Sequence, residues 1–110
     1  MSYQAVADVS EVAVDRPLAV DVADLTVAIV LHEGEYFAIY DECSHGAVPL
    51  SEGDVFDCTI ECYLHGSVFD LRSGKALSLP ATQPVPVYPC RVDGTTIEVD
   101  IDNPITTQES

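Results

Sequence analysis

The 110-residue sequence predicts an all-β fold, an antiparallel sandwich or small barrel. Three observations carry this. Apolar and polar residues alternate with period two, no segment keeps a helical stripe, and six glycines and seven prolines interrupt the chain at short intervals. Taken in order, Asp8-Val9-Ser10-Glu11 has the spacing of a capping box and predicts a single helical turn ahead of Pro17. Residues 25–31 and 36–40, rich in β-branched and aromatic side chains, read as strands, with Glu33-Gly34-Glu35 as the hairpin turn between them. Val55 to Ile60 reads as one further strand. Near the C-terminus, residues 88–92 and 95–101 flank Asp93-Gly94, a strong hairpin signal because both turn residues accept a positive φ. In the last strand Thr96, Glu98 and Asp100 alternate with Ile97, Val99 and Ile101, which predicts one wet face. A single domain is expected over residues 1–102, with a flexible C-terminal tail at 103–110.

Apolar residues make up 47% of the chain, enough for one core at this length. Nineteen Asp and Glu against four Lys and Arg give a formal net charge of −15. Such a surface repels phosphate backbones and anionic lipid, so no nucleic acid and no membrane partner is expected. The longest apolar run, Val27 to Leu31, is too short to span a bilayer, and the first residues show neither a basic leader nor an apolar stretch. The expected compartment is therefore cytoplasmic. In a reducing compartment a cluster of cysteines points to metal binding or reactivity more than to disulfides.

Residues 41–66 concentrate three of the four cysteines and two of the three histidines. Cys43-Ser44-His45-Gly46 and Cys62-Tyr63-Leu64-His65-Gly66 each supply one thiolate and one imidazole, followed by a glycine. Two loops of this kind make a four-ligand site. Zinc accepts two cysteines and two histidines, but its usual spacing pairs cysteine with cysteine and histidine with histidine. Copper would want a weak axial ligand such as a thioether, and the only methionine is Met1. A two-iron, two-sulfide cluster with both cysteines on one iron and both histidines on the other fits the count.

With these motifs in place, the sequence resembles the Rieske-type [2Fe-2S] ferredoxins, small electron carriers of bacterial ring-hydroxylating oxygenase systems. The resemblance extends through Gly66-Ser67-Val68-Phe69-Asp70, Ser73-Gly74 and the proline segment at 79–86, which looks like the family's cluster-covering loop. It implies a Rieske-type antiparallel β-sandwich or open barrel with a small cluster-binding subdomain, loops at about 41–66, inserted between strands. It implies Cys43 and Cys62 on one iron and His45 and His65 on the other, as cofactor-binding and metal-ligating residues, with no catalytic residue. One [2Fe-2S] cluster per chain would receive single electrons from a reductase, flavin-dependent, and pass them to a terminal oxygenase. An accessory or regulatory iron–sulfur protein, linked to cluster assembly or redox sensing, is the alternative.

Formal charges show why mixed ligation matters. Two ferric ions, two sulfides and two thiolates sum to zero, whereas four thiolates would leave minus two before any electron arrives. Rieske centres accordingly span about −150 to +300 mV, against about −400 mV for plant-type ferredoxins. The respiratory-type disulfide beneath the cluster cannot form, because its positions fall at Ala47 or Val48 and at Leu64. Ser67 is retained, but Phe69 stands where those proteins place a tyrosine, which implies a low-potential centre. Cys58 and Cys90 read as core residues, and His32 as an exposed or capping histidine. Tyr63 and Leu64 are expected to shield the cluster. The acidic coat fits solubility, docking on basic partners or adaptation to salt, the last suggested by the single lysine, Lys75.

Overall fold

The computed structural model describes residues 3–43, 48–63, 66–78 and 83–105. Among the described residues ten strands, all paired antiparallel, form three sheets. The middle sheet has the order β2 (Leu18–Val22), β3 (Leu25–His32), β4 (Glu35–Tyr40) and β8 (Val87–Tyr88). The outer sheet joins β1 (Gln4–Asp8), β10 (Thr96–Val99) and β9 (Cys90–Asp93). The small third sheet joins β5 (Asp54–Phe56), β6 (Thr59–Glu61) and β7 (Val68–Asp70). All-β is thus the observed class, and the Asp8–Glu11 capping box forms as expected, closing a 3-10 turn over Val9–Glu11.

Successive side chains of a strand point to opposite faces, and here both faces of the central hairpin are buried. Val27, Ile29 and Ala38 pack with Val12, Val22, Tyr88, Ile97 and Val99 in a core shared with the outer sheet. Ala28, Val30, Phe37 and Ile39 pack on the other side with Leu50, Ile60, Phe69, Leu71, Val85 and Val87. The uninterrupted apolar run at 27–30 follows from this: a strand covered on both sides cannot alternate with polar residues.

Turn chemistry explains the registers. His32 pairs with Glu35, leaving Glu33 (φ 51°) and Gly34 (φ 80°) as a two-residue turn with positive φ at both positions, the type I′ pattern. The C-terminal hairpin is displaced by one residue from expectation: Asp93 pairs with Thr96, so Gly94 and Thr95 make the turn. Its positive φ lies at Gly94, the first turn position, as in type II′.

Three expectations need correction. Residues 88–92 are not one strand, because Pro89 has no N–H for a ladder; β8 ends before it in the middle sheet and β9 begins after it in the outer sheet. Val55 to Ile60 is a hairpin, β5–β6, with Asp57 (φ 50°) and Cys58 (φ 59°) in its turn. Asp100 does not face water: it is 1% exposed, and its carboxylate accepts the Asp102 N–H (3.0 Å) and the Asn103 side-chain N–H (2.9 Å). The Ile105 N–H donates to the Val87 carbonyl, returning the chain to the middle sheet, while residues 106–110 lie outside the described residues. Replacing Asp100 with Ala removes both of these hydrogen bonds to a carboxylate and is expected to cost about 1–3 kcal/mol, seen as a lower denaturant midpoint at unchanged m-value.

Candidate metal centre

The third sheet and the loops around it place the sequence-predicted cysteines. Cys43 follows β4, and Cys62 follows β6. Both are buried, to 2% and 0% exposure, in the same core between the middle and third sheets, and no disulfide joins any of the four cysteines. Each opens a loop that closes in the same way. The Cys43 N–H donates to the Val48 carbonyl (2.9 Å), and the Cys62 N–H to the Ser67 carbonyl (2.7 Å), in each case five positions on. The second loop is tightened further by the Gly66 N–H on the Cys62 carbonyl (2.8 Å), with Gly66 at φ 77°, a left-handed turn that favours glycine. His45 and His65 belong to these two loops in the sequence but lie outside the described residues, as do Leu64 and residues 79–82 of the proline segment.

Side chains that nothing in the sequence marks hold the loops in place. The Asp41 N–H donates to the Thr26 carbonyl on β3, and its buried carboxylate accepts the Ser51 N–H (2.6 Å) and hydroxyl (2.8 Å), spanning the first loop. The Ser78 hydroxyl accepts the Val68 N–H (3.0 Å) and lies 3.5 Å from the Gly66 carbonyl, tying the proline segment to the second loop. Val85 is buried in the core beside both cysteines, and its N–H donates to the Gly74 carbonyl. Gly53, leading into β5, passes close to the end of β6: a Cβ there would fall 1.6 Å from the Glu61 carbonyl oxygen, immediately before Cys62. Only glycine permits that approach.

The third sheet is fixed to the middle one at its rim. Arg72 makes a bidentate ion pair with Glu35 (2.8 and 2.8 Å) and lies over the Phe37 ring. The guanidinium holds the Glu35 carboxyl below the usual carboxylate range, against the opposing effect of burial. The Leu71 N–H donates to the Cys58 carbonyl (3.1 Å).

The remaining residues divide. Cys90 stays a thiol, pushed up to about 12 by burial against the outer core. Cys58 is half-buried, packs on the cysteine-bearing core, and is likewise raised by burial. Neither has the electropositive, accessible setting of a reactive thiolate. His32, expected at the surface or as a cap, is instead buried at 8% exposure, with both ring nitrogens engaged. Tyr63 is 55% exposed. Ser67 and Phe69 are both fully buried.

Two buried thiols on loops of matched closure, walled by Val48, Leu50, Ile60 and Phe69, suit a group that needs anionic sulfur ligands and exclusion of water on its inner side. Residues 2–89 match the family model described as Rieske [2Fe-2S] domain. The sequence is 44% identical over 97 residues to the 3-phenylpropionate/cinnamic acid dioxygenase ferredoxin subunit of Shigella boydii, covering 87% of this chain and 88% of that one. The ferredoxin of carbazole 1,9a-dioxygenase from Nocardioides aromaticivorans IC177 superposes with a TM-score of 0.85 at 35% identity, over 90% of this chain and 97% of its own. For the Sphingomonas yanoikuyae B1 ferredoxin the TM-score is also 0.85, at 28% identity, over 90% and 98%.

The chain belongs to the Rieske [2Fe-2S] domain family. It is a ferredoxin, an electron-transfer component carrying a [2Fe-2S] cluster and not a catalytic subunit. Gly53→Ala is expected to force the start of β5 away from the Glu61 backbone next to Cys62, lowering stability by about 1–3 kcal/mol. Thermal melts followed by circular dichroism and by the visible absorbance of the cluster check this, and both transitions should move down together.

Proposed function

We propose that the chain, as one Rieske domain over residues 1–102 in the cytoplasm, carries single electrons from a flavin-dependent reductase to a terminal oxygenase. Cys43 and Cys62 hold one iron of its cluster and His45 and His65 the other. The cluster supplies one-electron storage. The single observation that carries the ligand set is the pair of buried cysteines, each starting a loop closed by its own backbone N–H. The oxygenase partner is supported by the Shigella boydii relative, whose name makes it the ferredoxin subunit of a dioxygenase. Among the described residues no helix is long and apolar enough to cross a membrane.

The protein's own part is to position and insulate. The Asp41–Ser51 pair and the Ser78 hydroxyl hold the loops, and the apolar floor of Leu50, Ile60, Phe69 and Leu71 keeps water from the sulfur side. Serine in place of either Cys43 or Cys62, or alanine in place of His45 or His65, is expected to abolish the red-brown absorbance and the paramagnetic signal of the reduced protein. Cys58→Ser and Cys90→Ser should keep both, with iron and acid-labile sulfide at wild-type levels. Retention of the cluster by any of the four ligand variants would remove that residue from the set.

Charge supports protein docking. Residues 41–66 contain Asp41, Glu42, Glu52, Asp54, Asp57 and Glu61 and no lysine or arginine. Of the chain's few cations, Arg72 and Arg91 are already paired with Glu35 and Glu98. A partner with a basic face is therefore favoured. The bimolecular electron-transfer rate with reductase or oxygenase should fall on the order of tenfold from low to high ionic strength, as screening removes the attraction. Stopped-flow mixing over a salt series checks this, and a salt-independent rate would rule out steering by charge.

A further inference from the structure

His32 lies at the end of β3, away from the ligand pairs in sequence, and the electron-carrier reading gives it no role. Its surroundings are unusual. Nδ1 is 2.7 Å from the Asp15 carboxylate, and Nε2 is 3.1 Å from the backbone nitrogen of Cys58. An amide N–H can only donate, so Nε2 accepts, and a carboxylate can only accept, so Nδ1 carries the proton. One form of the ring, the neutral Nδ1–H tautomer, satisfies both neighbours. The ring thereby joins three segments: the loop before β2, the end of β3 and the β5–β6 turn.

That turn needs holding. Asp57 and Cys58 both sit at positive φ without a glycine between them, a conformation that persists only where its surroundings impose it. The imposed contacts are the His32 ring on the Cys58 N–H and the Leu71 N–H on the Cys58 carbonyl. From the turn the chain runs through the short β6 directly into Cys62, so displacement of the turn displaces the cysteine.

We propose that His32 is a positioning residue for Cys62: as a neutral ring it pins the β5–β6 turn to the middle sheet, and a proton added at Nε2 releases that turn. This rests on Cys62 being an iron ligand. Protonation would set an N–H against the Cys58 N–H, and the nearest alternative acceptor for it is the Glu33 carboxylate, 3.8 Å from Nε2. The charged groups facing the ring are the carboxylates of Asp15, Glu33 and Asp57. Around the Cys58 thiol stand Arg72, Asp70, Glu35 and Glu33.

The carboxylates fix the sign. The hydrogen bond to Asp15 foremost, then the negative charges of Asp15, Glu33 and Asp57, raise the histidine pKa against the opposing effect of burial. A folded-state pKa above the unfolded value adds global stability that is complete below the unfolded pKa, near 6.5, and lost as pH rises through the folded one. The Cys58 contact has the opposite dependence, present above the folded pKa and lost below it. Mild acid therefore loosens the turn without unfolding the protein.

The test uses the full-length cluster-loaded protein. Hydrogen exchange at the Cys58 amide, corrected for the intrinsic rate, is measured by mass spectrometry with electron-transfer fragmentation. It is compared with the His32 ring titration by nuclear magnetic resonance and with far-ultraviolet circular dichroism. Between about pH 8 and about pH 5.5 the wild-type amide should lose about tenfold in protection, in step with the ring titration and at constant circular dichroism. His32→Gln, which offers an acceptor near the Nε2 position and cannot titrate, should be protected and flat with pH. His32→Asn, which reaches Asp15 but not Cys58, should exchange fast at both ends and bleach its cluster sooner. Wild-type protection that ignores the ring titration, or a His32→Asn amide as protected as wild type, overturns the proposal. Should His32→Asn fail to fold, the comparison of wild type with His32→Gln decides it. Iron retained by Cys62→Ser would sink the ligand reading alone, since the exchange data judge the His32–Cys58 contact separately.

Discussion

The structure depends on a sheet that must be covered twice. β3 and β4 present apolar side chains to both sides, so neither the outer sheet nor the third sheet is optional: each removes one face of the central hairpin from water. At roughly 25 cal/mol for each Å² of apolar surface hidden, this is the dominant favourable contribution to a fold of this size. The cysteines follow from it. Cys43 and Cys62 are members of the second core, so the packing that stabilises the third sheet also sets where the thiols lie.

Backbone and polar contacts then convert a packed layer into a site. The apolar core would tolerate small sliding of the third sheet, but the bidentate Arg72–Glu35 pair, the Asp41–Ser51 contacts and the His32 ring on the Cys58 N–H would not. Two of these fastenings reach the middle sheet close to a hairpin turn, at His32 and Glu35 beside the β3–β4 turn. A metal centre carried between two loops needs this arrangement, since loops alone move more than the elements that flank them.

Much of this was legible in the chain. Period-two patterning, the Glu33-Gly34 turn and the Asp8 capping box identified elements whose local chemistry agrees with the fold, and the two Cys-and-His knuckles pointed to the family. The β5–β6 hairpin was hidden because its turn is Asp57-Cys58, with no glycine or asparagine to signal positive φ; tertiary contacts hold it instead. The role of His32 was hidden for the same reason, since its partners, Asp15 and the Cys58 amide, are brought together only by the fold. Asp100 misled because an alternating pattern cannot distinguish a carboxylate facing solvent from one folded inward over its own turn. His45 and His65 are proposed as ligands from spacing alone, and their place in the fold lies outside the described residues.

Pro89 links β8, the edge of the middle layer, to β9, the edge of the outer one. With one residue between them, movement of either edge strand pulls directly on the other. The Asp100 N–H on the Pro89 carbonyl adds a clasp at the same point. The outer and middle layers are therefore expected to denature together, the loss of one ladder at this joint weakening the other.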